Sequence, residues 1–248
     1  MAESVTQPKS QLVVPSTPEH ARNGEADIIQ LKNGDLLLGY GRWDRDGDDF
    51  GRAEVWSKTS RDGGKTWGDD RVLVPNEGKV TTFEVGFLRL PDGDILMSYC
   101  VKDSREDCSV CFRRSSDDGQ TWTDRFKYRV PPEYSAYTAI NNDRLVQLTG
   151  GRILLPVYDG WARGRILLSF VLYSDDNGKT WRKSADVDIR DIAPDDTWGA
   201  GEPAVVELKD GRVMMIIRTN LGIIAKAYSS DQGATWSKPQ PIPGMVSQ

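Results

Sequence analysis

One eight-residue pattern, Ser-x-Asp-x-Gly-x-Thr-Trp, occurs four times in this chain, at 60–67, 115–122, 174–181 and 229–236. Its tryptophans, Trp67, Trp122, Trp181 and Trp236, stand 55, 59 and 55 residues apart. A repeat of that period constrains the fold more than any other feature, because each unit is one supersecondary structure that buries its apolar face only against its neighbours. A second element precedes each box, an apolar run split by a tight-turn dipeptide. The dipeptides are Asn33-Gly34, Asp92-Gly93, Gly150-Gly151 and Asp210-Gly211. Between apolar runs these are hairpin signals, and the turn they predict is type I′, with both central residues at φ > 0.

Each unit therefore reads strand, tight turn, strand, variable loop, strand, box turn, strand. The expectation is an all-β chain of four-stranded antiparallel sheets repeated radially about a channel, a β-propeller, which leaves only short sheet edges. The units run over about 21–70, 80–125, 138–185 and 198–240, and 1–20 is an N-terminal segment in which Gln11-Leu12-Val13-Val14 could supply a ring-closing strand. Long 3.6-period amphipathic stretches are missing, which leaves an α/β fold little support.

Several function classes fall away on composition. A formal net charge of −5 without a Lys/Arg cluster argues against nucleic acid. Met1 to Pro8 lacks a basic region followed by an apolar core, and no run of 18 apolar residues occurs, so neither a signal peptide nor a membrane span is expected. A cytoplasmic location is expected of the chain as written, and a secreted one if it is a mature or truncated form. Cys100, Cys108 and Cys111 are odd in number and read as buried free thiols despite the CxxC spacing of 108–111. His20 is the sole histidine, so a His/Cys zinc site or a Ser-His-Asp triad is not expected.

The boxes themselves are structural, since residues identical in every unit cannot mark one asymmetric site. Their Ser and Asp hydrogen-bond the turn, and Thr-Trp wedges between sheets. Chemistry belongs where the units differ. Nine residues before each turn glycine stand Glu25, Glu84, Asn142 and Glu202, predicted to form a polar ring at one mouth of the channel, with Arg144 beside it. Satisfaction of strand ends at a wet channel is the plainer account of any one of them.

The stretch Glu202-Pro203-Ala204-Val205-Val206-Glu207-Leu208-Lys209-Asp210-Gly211-Arg212-Val213, followed by Met214-Met215-Ile216-Ile217-Arg218, resembles the sialidase (neuraminidase) superfamily, of which the boxes are also a hallmark. The resemblance covers about residues 20 to 240. It implies a six-bladed propeller, of which this chain supplies four blades, and retaining hydrolysis of an acidic sugar through a tyrosine nucleophile. Glu202 matches the glutamate that polarises that tyrosine, and Arg218 an arginine that binds the sugar carboxylate. The family's aspartate acid falls, by counting from Gly34 and from Ser60, at Asp48, with Asp46 and Asp49 as neighbours. The loop holding them, 41–51, could instead bind calcium through Asp44, Asp46 and Asp48, or be simply solvated.

Two departures accompany the resemblance. The family's first arginine would fall at Gly24, and Arg22, two residues earlier on the same strand side, is the candidate substitute. The third carboxylate-binding arginine and the tyrosine come from units beyond the one carrying Glu202, whereas this sequence stops at Gln248. Either it is a fragment or four units close differently, with self-association through open sheet edges expected in the second case. Tyr134, Tyr137 and Tyr158 are candidate internal phenols, with ordinary packing as the alternative. Trp43, Trp161 and Trp198 are candidate sugar platforms, with a lid role as the alternative. No metal or organic cofactor is implied. A carbohydrate-binding propeller without catalysis, or an interaction scaffold, are the competing readings.

Overall fold

The computed structural model describes residues 10–45, 47–130, 134, 137–160 and 166–246; the candidates Asp46 and Trp161 lie outside them. The described residues form four antiparallel sheets and no helix. The first is β1 (Arg22–Gln30), β2 (Leu36–Trp43), β3 (Ala53–Ser60) and β4 (Arg71–Val74). The second is β5 (Thr81–Arg89), β6 (Ile95–Lys102), β7 (Cys108–Ser115) and β8 (Phe126–Lys127). The third is β9 (Thr138–Ala139), β10 (Val146–Gln147), β11 (Ile153–Asp159), β12 (Leu168–Ser174) and β13 (Arg182–Lys183). The fourth is β14 (Gly201–Glu207), β15 (Val213–Arg218), β16 (Ile224–Ser229) and β17 (Gln240–Pro241). Strand order follows chain order in the first, second and fourth sheets; in the third, β9 and β10 both pair with β11. The arrangement is a β-propeller.

The hairpins differ from the predicted turn. In each, the residue before the turn accepts from the glycine N–H, as in Gly34 N to Leu31 O at 3.0 Å, and donates across the turn, as in Leu31 N to Asp35 O at 2.8 Å. Only the glycine has φ > 0 (Gly34 90°, Gly93 88°, Gly151 91°, Gly211 82°), because a three-residue loop needs one left-handed residue where a two-residue type I′ loop needs two.

Three apolar layers lie between successive sheets. Leu37, Val55, Val85 and Met97 join the first to the second, Phe112, Tyr137, Leu155 and Phe170 the second to the third, and Leu154, Val171, Met215 and Ala227 the third to the fourth. The tryptophans of the second, third and fourth boxes, Trp122, Trp181 and Trp236, wedge backward into these layers. Trp181 stacks on Phe112 of the preceding sheet with centroids 4.4 Å apart, and Trp236 donates its indole N–H to Ser184 Oγ at 3.2 Å. Box backbones are uniform: each glycine N–H reaches the serine Oγ at 2.8 Å, and each threonine N–H reaches the aspartate within 2.8–2.9 Å.

The third sheet breaks the repeat. Its first strand is split into β9 and β10, and six residues, 140–145, face only 155–157 of β11. Pro156 sits in that gap, where a residue without an N–H costs no ladder bond.

Candidate functional site

The first strands of the first, second and fourth sheets each carry a bulge at the same place, between Gly24 and Asp27, between Phe83 and Gly86, and between Gly201 and Ala204. The bulged residues are Glu25, Glu84 and Glu202, at φ 52°, 61° and 48°. A non-glycine residue in that region costs roughly 1 kcal/mol or more, and a bulge re-aims the side chain it carries. The three carboxylates converge on one cavity of 490 Å³, whose wall also holds Arg22, Asp49, Lys102, Tyr137, Tyr158, Trp198 and Arg218.

Charges in the cavity alternate. Arg22 donates to Glu25 Oε1 at 2.5 Å and, through its other nitrogen, to the Asp49 carboxylate. Across the cavity Arg218 donates to Glu202 Oε1 at 2.5 Å and lies 5.0 Å from the centroid of Trp198. The register explains this second pair: Gly201 faces Arg218 across β14 and β15, so the residue after Gly201 meets the arginine sixteen positions on. Glu84, 6% exposed, accepts from the Asn142 N–H, while its Oε2 has no hydrogen-bond partner among the described residues. Burial, and then the negative charge of Glu25, push its carboxyl well above the ordinary carboxylate range. Burial likewise raises the Tyr137 and Tyr158 phenols.

Eight of the residues singled out from the sequence, Arg22, Glu25, Glu84, Tyr137, Tyr158, Trp198, Glu202 and Arg218, thus share the cavity. Five others differ. Asp48 is exposed and its carboxylate caps the Phe50 N–H at 2.6 Å; its neighbour Asp49 is the one on the cavity wall, because the turn closed by Gly51 N to Asp48 O at 2.8 Å aims the two side chains apart. Trp43 is fully buried, beneath Arg22 at 4.3 Å and edge-on to Phe83, so it has no face for a sugar; the partly buried Trp198 lines the cavity, with Arg218 over its ring. Asn142 is displaced by the irregular third sheet: the left-handed residue there is Asp143 (φ 51°), Asn142 spends its amide on Ala26 O at 2.7 Å, and Asn141 lines the cavity. Arg144 turns back onto the carbonyls of Asn142 and Asp143, at 3.1 and 3.3 Å. Tyr134 also stands apart, its hydroxyl on Asp186 Oδ2 at 2.9 Å.

Lys102 went unrecognised in the sequence. It is 2% exposed, at the end of a strand otherwise wholly buried, and its Nζ donates to Asp49 O at 2.9 Å. A lysine closing an apolar run, Ile95 to Val101, was the available signal. Cys100, Cys108 and Cys111 are buried free thiols, and burial followed by pairing with Cys108 raises Cys100. No group of three or more metal-ligating side chains occurs among the described residues, nor does any helix long and apolar enough to cross a membrane.

Residues 34–247 match the BNR repeat-like domain, and the chain belongs to that family, within the sialidase superfamily. It is 32% identical to the anhydrosialidase of the leech Macrobdella decora over 143 residues, 55% of this chain and 17% of that protein. It is 25% identical to a sialidase of Clostridium perfringens over 247 residues, 88% of this chain and 61% of that one. The chain thus spans less than two thirds of the length of either relative. Among solved structures, a protein of unknown function from Dyadobacter fermentans superposes with a TM-score of 0.76 at 22% identity, covering 94% of this chain and 72% of that one. The leech intramolecular trans-sialidase complexed with 2,7-anhydro-Neu5Ac superposes with a TM-score of 0.73 at 15% identity, covering 98% of this chain and 54% of that one. At these identities the superpositions speak for the fold.

Proposed function

We propose that the cavity binds and hydrolyses a terminal acidic sugar of the sialic acid class. The observation that carries this reading is the pairing of Glu202 with Arg218 and of Asp49 with Arg22, all four lining the same cavity. Two guanidiniums are suited to a planar carboxylate, which they would take bidentately while releasing their internal partners. Asp49, in the exposed loop between β2 and β3, in its protonated form gives that proton to the leaving glycosidic oxygen. Glu202, freed from Arg218 as the sugar carboxylate takes its place, accepts the proton of an attacking phenol; water, deprotonated by the Asp49 carboxylate, then displaces the sugar from the phenol, to which Glu202 returns the proton. A neutral phenol suits this substrate, since a carboxylate nucleophile would repel the sugar's own carboxylate at close range. Tyr137 and Tyr158 are the phenols on the wall, and burial keeps both protonated until a base is presented.

The test is release of fluorophore from 4-methylumbelliferyl α-N-acetylneuraminide by the purified, folded chain, beside Asp49→Asn and Glu202→Gln. Turnover lost in both variants supports the reading; turnover unchanged in either removes that residue from it. A second reading, glycan binding without hydrolysis, is favoured by both proposed catalytic carboxyl groups, Asp49 and Glu202, being already engaged by arginines. Saturable quenching of tryptophan fluorescence by N-acetylneuraminic acid, in a protein with no turnover, would select it.

A further inference from the structure

The acidic loop after β2 belongs to the first sheet, yet two of its residues are held by the second. The Phe50 ring is packed against two cations, with Lys102 Nζ 4.2 Å and Arg105 Cζ 4.2 Å from its centroid. Lys102 ends β6 and Arg105 follows it in the turn to β7. No carboxylate pairs with Lys102 among the described residues. A buried ammonium without one is costly unless other groups solvate it. Here the solvating groups are the Asp49 carbonyl at 2.9 Å and the faces of Phe50, of Phe83 at 4.5 Å and of Tyr137 at 5.6 Å. From the first sheet, Arg22 reaches Gly47 O at 3.4 Å and the Asp49 carboxylate. Asp49 is therefore gripped by its carbonyl from one sheet and by its carboxylate from the other.

We propose that Phe50, held by Lys102 and Arg105, is a positioning residue that docks the loop of the first sheet onto the second and so fixes the Asp49 carboxylate at the cavity. Its consequence for catalysis rests on the hydrolytic reading above; the docking itself does not. An aromatic ring is what the contact requires, since two cations packed on an aliphatic side chain would gain nothing from it and would still repel one another. Lys102 is solvated by this loop, so its buried position depends on the docked state.

The experiment compares Phe50→Leu, which keeps apolar bulk and removes the ring, with Phe50→Tyr, which keeps the ring. Limited trypsin digestion at Arg45 and Arg52 reports loop docking without reference to activity, and kcat and KM on the umbelliferyl sialoside report its consequence. In Phe50→Leu, cleavage within the loop is expected to accelerate about tenfold. Its kcat should fall by roughly 10-fold to 100-fold with KM nearly unchanged, because the acid is misplaced while the arginines remain. Phe50→Tyr should match the wild type in both. Cleavage of Phe50→Leu at the wild-type rate, or a Phe50→Tyr as impaired as Phe50→Leu, overturns the proposal. If the wild type shows no turnover, the digestion decides alone: acceleration by leucine reversed by tyrosine upholds the docking while the hydrolytic reading falls.

Discussion

The box turns and the strand bulges are both repeated, and they teach opposite things about repetition. In the boxes, side chains, bonds and distances recur nearly unchanged from Ser60 to Ser229, and each turn satisfies its own backbone locally. In the bulges the backbone recurs but the surroundings do not. Glu25 and Glu202 meet arginines, whereas Glu84 is buried with one oxygen unpartnered, and the third sheet supplies Asp143 instead of a glutamate. A motif that closes on itself can be copied without change. One that points into a shared channel must differ in each copy, since three identical carboxylates with no cations between them would repel.

The comparison predicts that changes at the bulge end affect turnover more than stability, and changes at the box end the reverse. The largest effect is expected for Glu202→Gln, with kcat lowered by roughly 10²- to 10⁴-fold and the urea midpoint little changed. A variant that instead unfolds would make the bulge as structural as a box.

Next is Ser115→Ala, which strands the buried Gly119 N–H now bonded at 2.8 Å to Ser115 Oγ. A loss of about 1–3 kcal/mol of unfolding free energy, measured by denaturant titration, is expected with kcat/KM of the folded protein unchanged.

The two regions should also separate by pH. The box carboxylates Asp62, Asp117, Asp176 and Asp231 are lowered to about 2, chiefly by hydrogen bonds from threonine in the first two, and in the others by the same bonds acting against burial. Lowered carboxylates contribute stability that is present above the unfolded value near 4 and lost as pH falls through about 2. Asp27, two residues past Glu25, has the opposite sign. Burial raises it to about 6, against the N–H of Phe87 that bonds it at 2.6 Å. Stability from that group is present below about 4 and is lost as pH rises through about 6, by up to about 3 kcal/mol. The melting midpoint should therefore be highest on the acid side of neutrality, and Asp27→Asn should flatten the arm between pH 4 and 6 while leaving the arm below 4 intact.

The smallest effect is expected at Asp118, which ties one sheet's hairpin to the next sheet's box through Lys32 N at 2.6 Å and Arg89. Asn tolerates its φ of 62° and keeps an acceptor, so Asp118→Asn should cost about 1 kcal/mol or less in the same titration. A larger loss would mean that the inter-sheet ties, and not the apolar layers, hold neighbouring sheets in register.

Much of the fold was legible in the chain. Turn dipeptides, alternation and the boxes act over a few residues, so four antiparallel sheets followed from local chemistry; the turn type and the split first strand of the third sheet differed. Glu202 and Arg218 were legible through the family resemblance, and they meet because both belong to one hairpin, whose register sets Gly201 opposite Arg218. What escaped were relations between sheets. Asp49 lines the cavity while Asp48 caps a turn, Trp43 lies under Arg22, Asn142 is displaced by the gap opposite Pro156, and Lys102 reaches a loop of another sheet. Sequence spacing determines neighbours along a strand and across a hairpin. Which side chains meet at the channel was decided only by bulges, a broken strand and the packing of one sheet on the next, where a shift of a single residue changes what a side chain faces.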